Sequence, residues 1–389
     1  MNARSMPPSS DAAVEPFAIR VDDAVWQDVR RRLAATRWPD QIEGAGWDYG
    51  AELGYVRELC AYWRDHYDGG KAFAELARWS HFRTTIDGQR IHFLHAPSRH
   101  ANALPLLISH GWPGSIVEFL DVIEALRDPE AHGGSARDAF HVVCPSLPGY
   151  GFSEPTRTRG WDPARIADAF AVLMSRLGYT RYGAQGGDWG ALITSMLGLR
   201  DAPHLAGIHV NMALAVPQPD TKLSDAEKAD LARMAAWQDQ ESGYQKIQGT
   251  KPQTLGFGLT DSPAGLAAWI IEKFRSWSDC DGLPENAIPR DRLLTNISLY
   301  WLTGTITGST RLYYETFRST RMEFFTSKVM VPTGVARFPK EVMRFPRAWV
   351  EQRYHVTHWS EQPKGGHFAA MEQPELFVED VRRFFRTVR

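Results

Sequence analysis

The chain has 389 residues, 43% of them hydrophobic and 12% aromatic, enough to bury a large core as two or three domains or as one α/β unit with an insertion. Its 44 Lys and Arg offset 46 Asp and Glu, a formal net charge of −2, so no basic surplus points to nucleic acid or to acidic membranes. Three scattered cysteines, Cys60, Cys144 and Cys280, argue against a disulfide framework and suit a reducing compartment.

In chain order, residues 1–13 are rich in Pro, Ser and Ala, carry no apolar signal-peptide core, and are expected to be disordered. Residues 14–95 form an N-terminal region. In it, "DDAVWQDVRRRLAATRW" and "AELGYVRELCAYWRDHY" place apolar residues at helical spacing. "FRTTIDGQRIHFLHAP" then reads as two strands about the turn signal Asp87-Gly88. Residues 96–213 alternate strand and helix: "LPLLIS", "FHVVCPSLPG", the amphipathic "PARIADAFAVLMSRLG", and "LAGIHVNMA". Residues 214–325 break the alternation with helix-like runs such as "SDAEKADLARMAAWQDQESGYQKIQ", "SPAGLAAWIIEKF" and "NISLYWLTGTITGSTRLYYETF", read as a helical cap. Residues 326–389 resume it with "KVMVPTGVA", "YHVTHWSE" and a last helix, "PELFVEDVRRFFRTV". The expected fold is α/β: a mainly parallel sheet with helices on both faces, a helical cap and an N-terminal helical extension. No apolar stretch reaches the roughly 18 residues of a membrane span.

The segment "GAQGGDWGA" sits between a short strand-like run and a helix. Small residues crowd Asp188 on both sides, as in a sharp strand-to-helix turn that lifts one side chain toward the backbone N–H groups of the helix. A carboxylate held there can attack an electrophilic carbon and form an ester; the alternative is an Asp that merely caps a helix. Such an ester needs a base for its hydrolysis. His367, in "KGGHFAAMEQPE", lies between the last strand and the last helix, where the order nucleophile, acid, histidine puts the base. A carboxylate must orient that base. Glu341, in "VARFPKEV", is the choice, in competition with Glu361. The loop "SHGWPGS" can present the amide of Trp112, which with that of Trp189 would form a two-donor oxyanion hole; the alternative is an ordinary Pro-Gly turn.

Together, "HGWPGS", "PSLPGYGFSEP", "GGDWG", "ESGYQKIQGTKPQT", "LYWLTGTI", "VPTGVARFPKE" and "GGHFAAMEQPE" resemble the α/β-hydrolase-fold epoxide hydrolases, closest to the microsomal-type branch. The resemblance spans residues 15–389. It implies that Asp188 opens an epoxide, that His367 oriented by Glu341 activates water against the resulting ester, and that a vicinal diol leaves. It also implies two cap tyrosines as donors to the epoxide oxygen, matching Tyr244 and Tyr313, with the adjacent Tyr314 as the other register. A phenol is a suitable donor to a developing alkoxide. Glu341 stands where many relatives carry Asp.

A microsomal membrane anchor is absent, so a soluble, cytoplasmic enzyme is expected, with a homodimer as the assembly the resemblance suggests. The expected partners are a hydrophobic epoxide and water, without nucleic acid, metal or organic cofactor: no H-E-x-x-H, Cys/His cluster or phosphate-loop pattern occurs. A haloalkane dehalogenase would share the Asp, the ester and the His, but halide leaves without needing phenols. A non-catalytic relative would be expected to lack Asp188, His367 or Glu341, and all three are present.

Overall fold

The computed structural model describes residues 13–217, 220–321 and 323–389. The Pro/Ser-rich start up to residue 12, where disorder is expected, lies outside the described residues. Among the described residues nine strands form one sheet: β1 (Glu15–Phe17), β2 (His81–Ile86), β3 (Gln89–Ala96), β4 (Leu104–Ser109), β5 (Phe140–Pro145), β6 (Tyr182–Gly186), β7 (Leu205–Val210), β8 (Val329–Arg337) and β9 (Tyr354–Glu361). Their order is β1-β2-β3-β5-β4-β6-β7-β8-β9. The pairs β1/β2, β2/β3 and β3/β5 are antiparallel, and every pair from β5 to β9 is parallel. The Asp87-Gly88 hairpin therefore extends the main sheet rather than standing apart from it. Both turn residues have positive φ, 51° and 70°, which matches the right-handed twist of the strands they join.

The central strands are apolar along their length because both faces are covered; all six residues of β7 are buried. Helices Pro163–Arg176, Asp188–Arg200 and Pro374–Phe385 supply that cover. The second of these is buried from Trp189 to Gly198 and has no polar face, as expected of a helix packed on all sides.

Between β7 and β8 the chain builds the helical cap. The run from 224 to 248 is two helices, Asp225–Gln240 and Gly243–Gln248, and not one. The run from 296 to 317 is likewise split, into Arg290–Thr303 and Ile306–Arg318, by Gly304 at φ 62°, a left-handed stop that glycine adopts without strain. Helices Pro252–Asp261 and Pro263–Trp277 complete this layer. The N-terminal helices Leu53–Asp65 and Gly69–Ala77 pack on the cap. Tyr62 donates to Asp291 at 2.9 Å, Tyr67 and Thr295 share a 3.1 Å hydrogen bond, and Arg290 pairs with Glu58 at 2.9 Å. No helix of the described residues is long and apolar enough to cross a membrane.

Candidate active site

Three parallel strands end level: Ser109 pairs with Gly186, and Gly186 with Val210. The loops leaving their carboxyl ends start at one height, the place where open α/β sheets bind ligands. Asp188 stands at the turn after β6. Gly187 is the N-cap of the helix Asp188–Arg200, so Asp188 itself is not the cap, and its φ is +48°. A left-handed conformation is uncommon outside glycine, and Asp tolerates it better than most residues. The turn depends on close approach. A Cβ at Gly190 would lie 1.9 Å from the Ser109 carbonyl oxygen, and one at Gly111 would lie 2.1 Å from Asp188 Oδ1.

The loop after β4 crosses above this carboxylate. The Trp112 N–H donates to Asp188 Oδ1 at 2.7 Å. The Trp189 amide, the other expected donor, heads the same helix but makes no bond to the Asp188 side chain. The loop is held from both sides. Leu147 N–H donates to His110 Nε2 at 3.2 Å, which leaves His110 Nδ1–H to donate to the Gly111 carbonyl at 3.0 Å. Burial lowers the His110 pKa to about 4, so the imidazole stays neutral and keeps that tautomer. From the cap, Asn296 donates to the Pro113 carbonyl at 2.8 Å and Tyr300 to the Gly114 carbonyl at 2.7 Å.

His367 Nε2 lies 3.5 Å from Asp188 Oδ2, and its Nδ1 is 2.8 Å from Glu341 Oε1. The loops carrying these two residues are stitched by the Lys340 N–H to the Gly365 carbonyl at 3.0 Å. The His367 amide donates to the Trp277 carbonyl at the end of a cap helix, also at 3.0 Å. Both side chains are buried, His367 at 5% exposure and Glu341 at 3%. Burial alone would lower the His367 pKa, but the Glu341 and Asp188 carboxylates outweigh it and hold the imidazolium well above its ordinary range. Glu361, the rival acid, lies elsewhere, exposed and paired with Arg337 at 2.8 Å and Arg344 at 3.1 Å.

Tyr244 and Tyr313 close the site from the cap. The Tyr244 ring stacks on Trp112 with centroids 5.1 Å apart, Tyr313 meets Trp189 edge-on at 4.7 Å, and the two phenol rings are 5.8 Å apart. Burial, with Asp188 nearby, pushes both phenols well above the ordinary tyrosine range, so each keeps its proton as a donor. Tyr314 points elsewhere, with Arg318 4.2 Å over its ring. A groove of about 570 Å³ between residues 47–51 and the helix Pro263–Trp277 reaches Tyr244.

Comparison with known proteins fits this geometry. Residues 14–119 match the family described as "Epoxide hydrolase N terminus", and residues 105–252 match "alpha/beta hydrolase fold". A protein of Stigmatella aurantiaca is 50% identical over 379 residues, covering 97% of this chain and 86% of its own. "Epoxide hydrolase 1" of Sus scrofa is 39% identical over 406 residues, covering 97% and 89%. The crystal structure of juvenile hormone epoxide hydrolase from the silkworm Bombyx mori superposes with a TM-score of 0.88 at 34% identity, covering 96% of this chain and 95% of that one. The chain belongs to the epoxide hydrolases of the α/β-hydrolase fold.

In this epoxide hydrolase the structure brings together Asp188, His367, Glu341, Tyr244, Tyr313 and the Trp112 amide, with Trp189 beside them. Sequence reading missed other members of the neighbourhood. Glu372 accepts from the amides of Asp279 at 2.8 Å and of Gly366 and Phe368 at 2.9 Å, clamping the His367 loop. Burial raises its carboxyl to about 7 against those amides. Its signal in the sequence was faint: a Glu five residues beyond the His, in "GGHFAAME". Among the described residues, His100, Asp128 and Glu130 lie close enough together to share a cation. Arg99 already pairs with both carboxylates, Asp128 at 3.2 Å, and none of the three lines a cavity at Asp188.

Proposed function

We propose that this epoxide hydrolase works through a covalent ester on Asp188. The observation that carries the reading is the Asp188 carboxylate held between the Trp112 N–H at 2.7 Å and His367 Nε2 at 3.5 Å, with two buried phenols above it. One Asp188 oxygen attacks an epoxide carbon from behind, and the carbon–oxygen bond of the ring breaks. Tyr244 and Tyr313 donate hydrogen bonds to the leaving oxygen and protonate it. These donors matter because an alkoxide is a poor leaving group and preorganised donors act most strongly in a water-excluded site.

Ester formation removes the Asp188 charge. One of the two carboxylates that hold the His367 imidazolium is then lost, its pKa falls, and it gives up a proton that restores the phenol. The neutral imidazole, kept in place by Glu341, becomes the base for water. Water attacks the Asp188 carbonyl carbon, and its proton goes to His367 Nε2. The tetrahedral oxyanion is met by the amides of Trp112 and Trp189. Collapse breaks the bond to the alkyl oxygen, which takes the proton back from His367 and departs as a diol. The regenerated Asp188 carboxyl then returns its proton to His367.

The substrate expected is a hydrophobic epoxide. Trp112, Trp189 and Trp277 surround the reacting groups, while the groove that reaches Tyr244 sets Trp47, Tyr49 and Trp269 beside the charged Glu241, Glu272, Lys273 and Arg275. Styrene oxide is a suitable probe. The parent is expected to yield the diol, and His367→Gln to accumulate an adduct on the peptide that contains Asp188. Absence of that adduct, or diol from Asp188→Ala at the parent rate, would overturn the reading.

A further inference from the structure

Hydrolysis of an ester on Asp188 needs a water held close to its carboxyl carbon. Beside Asp188 lies a small cavity with about 10 Å³ of room for a water-sized sphere, close to the roughly 10–15 Å³ that one ordered water needs. Its polar side chains are Glu118, Gln185, Asp188, Asn211 and His367. Neither Tyr244 nor Tyr313 lines it, so it is distinct from the face of the carboxylate that meets the phenols.

Two buried polar atoms on its walls lack a hydrogen bond within the protein: Gln185 Oε1 has no partner, and His367 Nε2 has only its ion pair with Asp188. Gln185 is 1% exposed; its Nε2 donates to Asn211 Oδ1 at 3.0 Å, while its Oε1 accepts nothing. His367 Nε2, 3.5 Å from Asp188, makes no hydrogen bond. A buried acceptor left unpaired costs about 1–3 kcal/mol, so a polar pocket of this size favours a bridging water. Glu118 completes the wall. Its carboxyl folds back over the loop after β4, where Gly114 leaves the space: a Cβ there would fall 1.6 Å from Glu118 Oε1. Burial raises that carboxyl to about 8, with Asp188 adding to the shift and His367 and the loop amides opposing it. Near neutrality it can therefore donate as well as accept.

We propose that this cavity holds the water that hydrolyses the Asp188 ester, with Gln185 and Glu118 as positioning residues and His367 Nε2 as proton acceptor. The proposal rests on the ester reading. In the step, the water oxygen bonds to the Asp188 carboxyl carbon as one proton passes to His367. The bond to the alkyl oxygen then breaks, and that oxygen takes the proton. The epoxide and the water thus occupy separate compartments on the same carboxylate.

The test separates the two chemical steps. Styrene oxide is mixed in single-turnover amounts with the parent and with Gln185→Met, Glu118→Met and Glu118→Gln. Alkylation is followed by tryptophan fluorescence, and hydrolysis by diol release and by the mass of the Asp188 peptide. Loss of one positioning hydrogen bond is expected to slow hydrolysis by about tenfold or more. Alkylation should stay within about twofold, so the adduct accumulates in both Met variants, and Glu118→Gln should recover most of the hydrolysis rate. Hydrolysis at the parent rate, or equal slowing of both steps, in whichever Met variants fold would overturn the proposal. His367→Gln run alongside tells the two readings apart: without an adduct there, the ester reading itself fails and this one falls with it.

Discussion

Replacing Glu341 by Gln keeps the shape of the side chain and removes one charge. The Glu341 oxygen is 2.8 Å from His367 Nδ1, and both groups are buried. Taking charge centres about 4 Å apart and an effective dielectric near 20, the pair is worth about 4 kcal/mol. Relaxation and the hydrogen bond that Gln can still make reduce the net loss to roughly 3–4 kcal/mol, or about 10²–10³ in a rate that depends on forming imidazolium. Only the second half-reaction forms imidazolium from neutral His367. Hydrolysis of the ester should slow by that factor, while alkylation by Asp188 should change by less than about tenfold. Stopped-flow fluorescence for the first step and quenched-flow diol analysis for the second would read the two rates separately. Hydrolysis within about threefold of the parent, or equal loss in both steps, would refute the assignment of Glu341 as the group that sustains the base.

Three further outcomes follow from the same geometry. Tyr244→Phe and Tyr313→Phe should each slow alkylation by about 10²–10³, as for loss of one donor to a developing oxyanion; Tyr314→Phe, on the other side of its helix under Arg318, should stay within about twofold, and single-turnover rates would decide the register. Gly111→Ala puts a methyl group 2.1 Å from Asp188 Oδ1, so alkylation should fall by about 10² or more in protein whose circular dichroism still shows the folded helices and sheet. The raised pKa of His367 gives a stability prediction with a definite sign. Its contribution is fully present below the unfolded value near 6.5 and is lost as pH rises through the higher folded value. The Tm advantage of the parent over His367→Gln should therefore shrink as pH rises above the unfolded value, and an advantage that grows with pH would contradict the charged pair.

What could be read from the sequence was local. Glycines around Asp188 and before His367 announced tight turns, and strand–helix alternation put those turns at the carboxyl ends of the strands. The choice between Glu341 and Glu361 needed the fold, because it turns on which side of β8 and β9 a carboxylate emerges. Glu361 meets Arg337 and Arg344, partners with no short-range signature. The small cavity was invisible for the same reason. Glu118, Gln185 and Asn211 come from three segments and meet only through the parallel register of β4, β6 and β7. The helix breaks at residues 241–242 and at Gly304 were hidden by apolar spacing that continues across them. Likewise the hairpin signal at Asp87-Gly88 was local, but its attachment to the main sheet through β3 and β5 was not.

In the ester mechanism the first oxygen delivered to the epoxide comes from Asp188. A single turnover of excess enzyme with styrene oxide in ¹⁸O-labelled water tests it most directly. The diol of that first turnover should be unlabelled, with ¹⁸O in the Asp188 side chain of the recovered peptide. Label in the first diol, with Asp188 unlabelled, would mean direct attack by water and would contradict the ester mechanism.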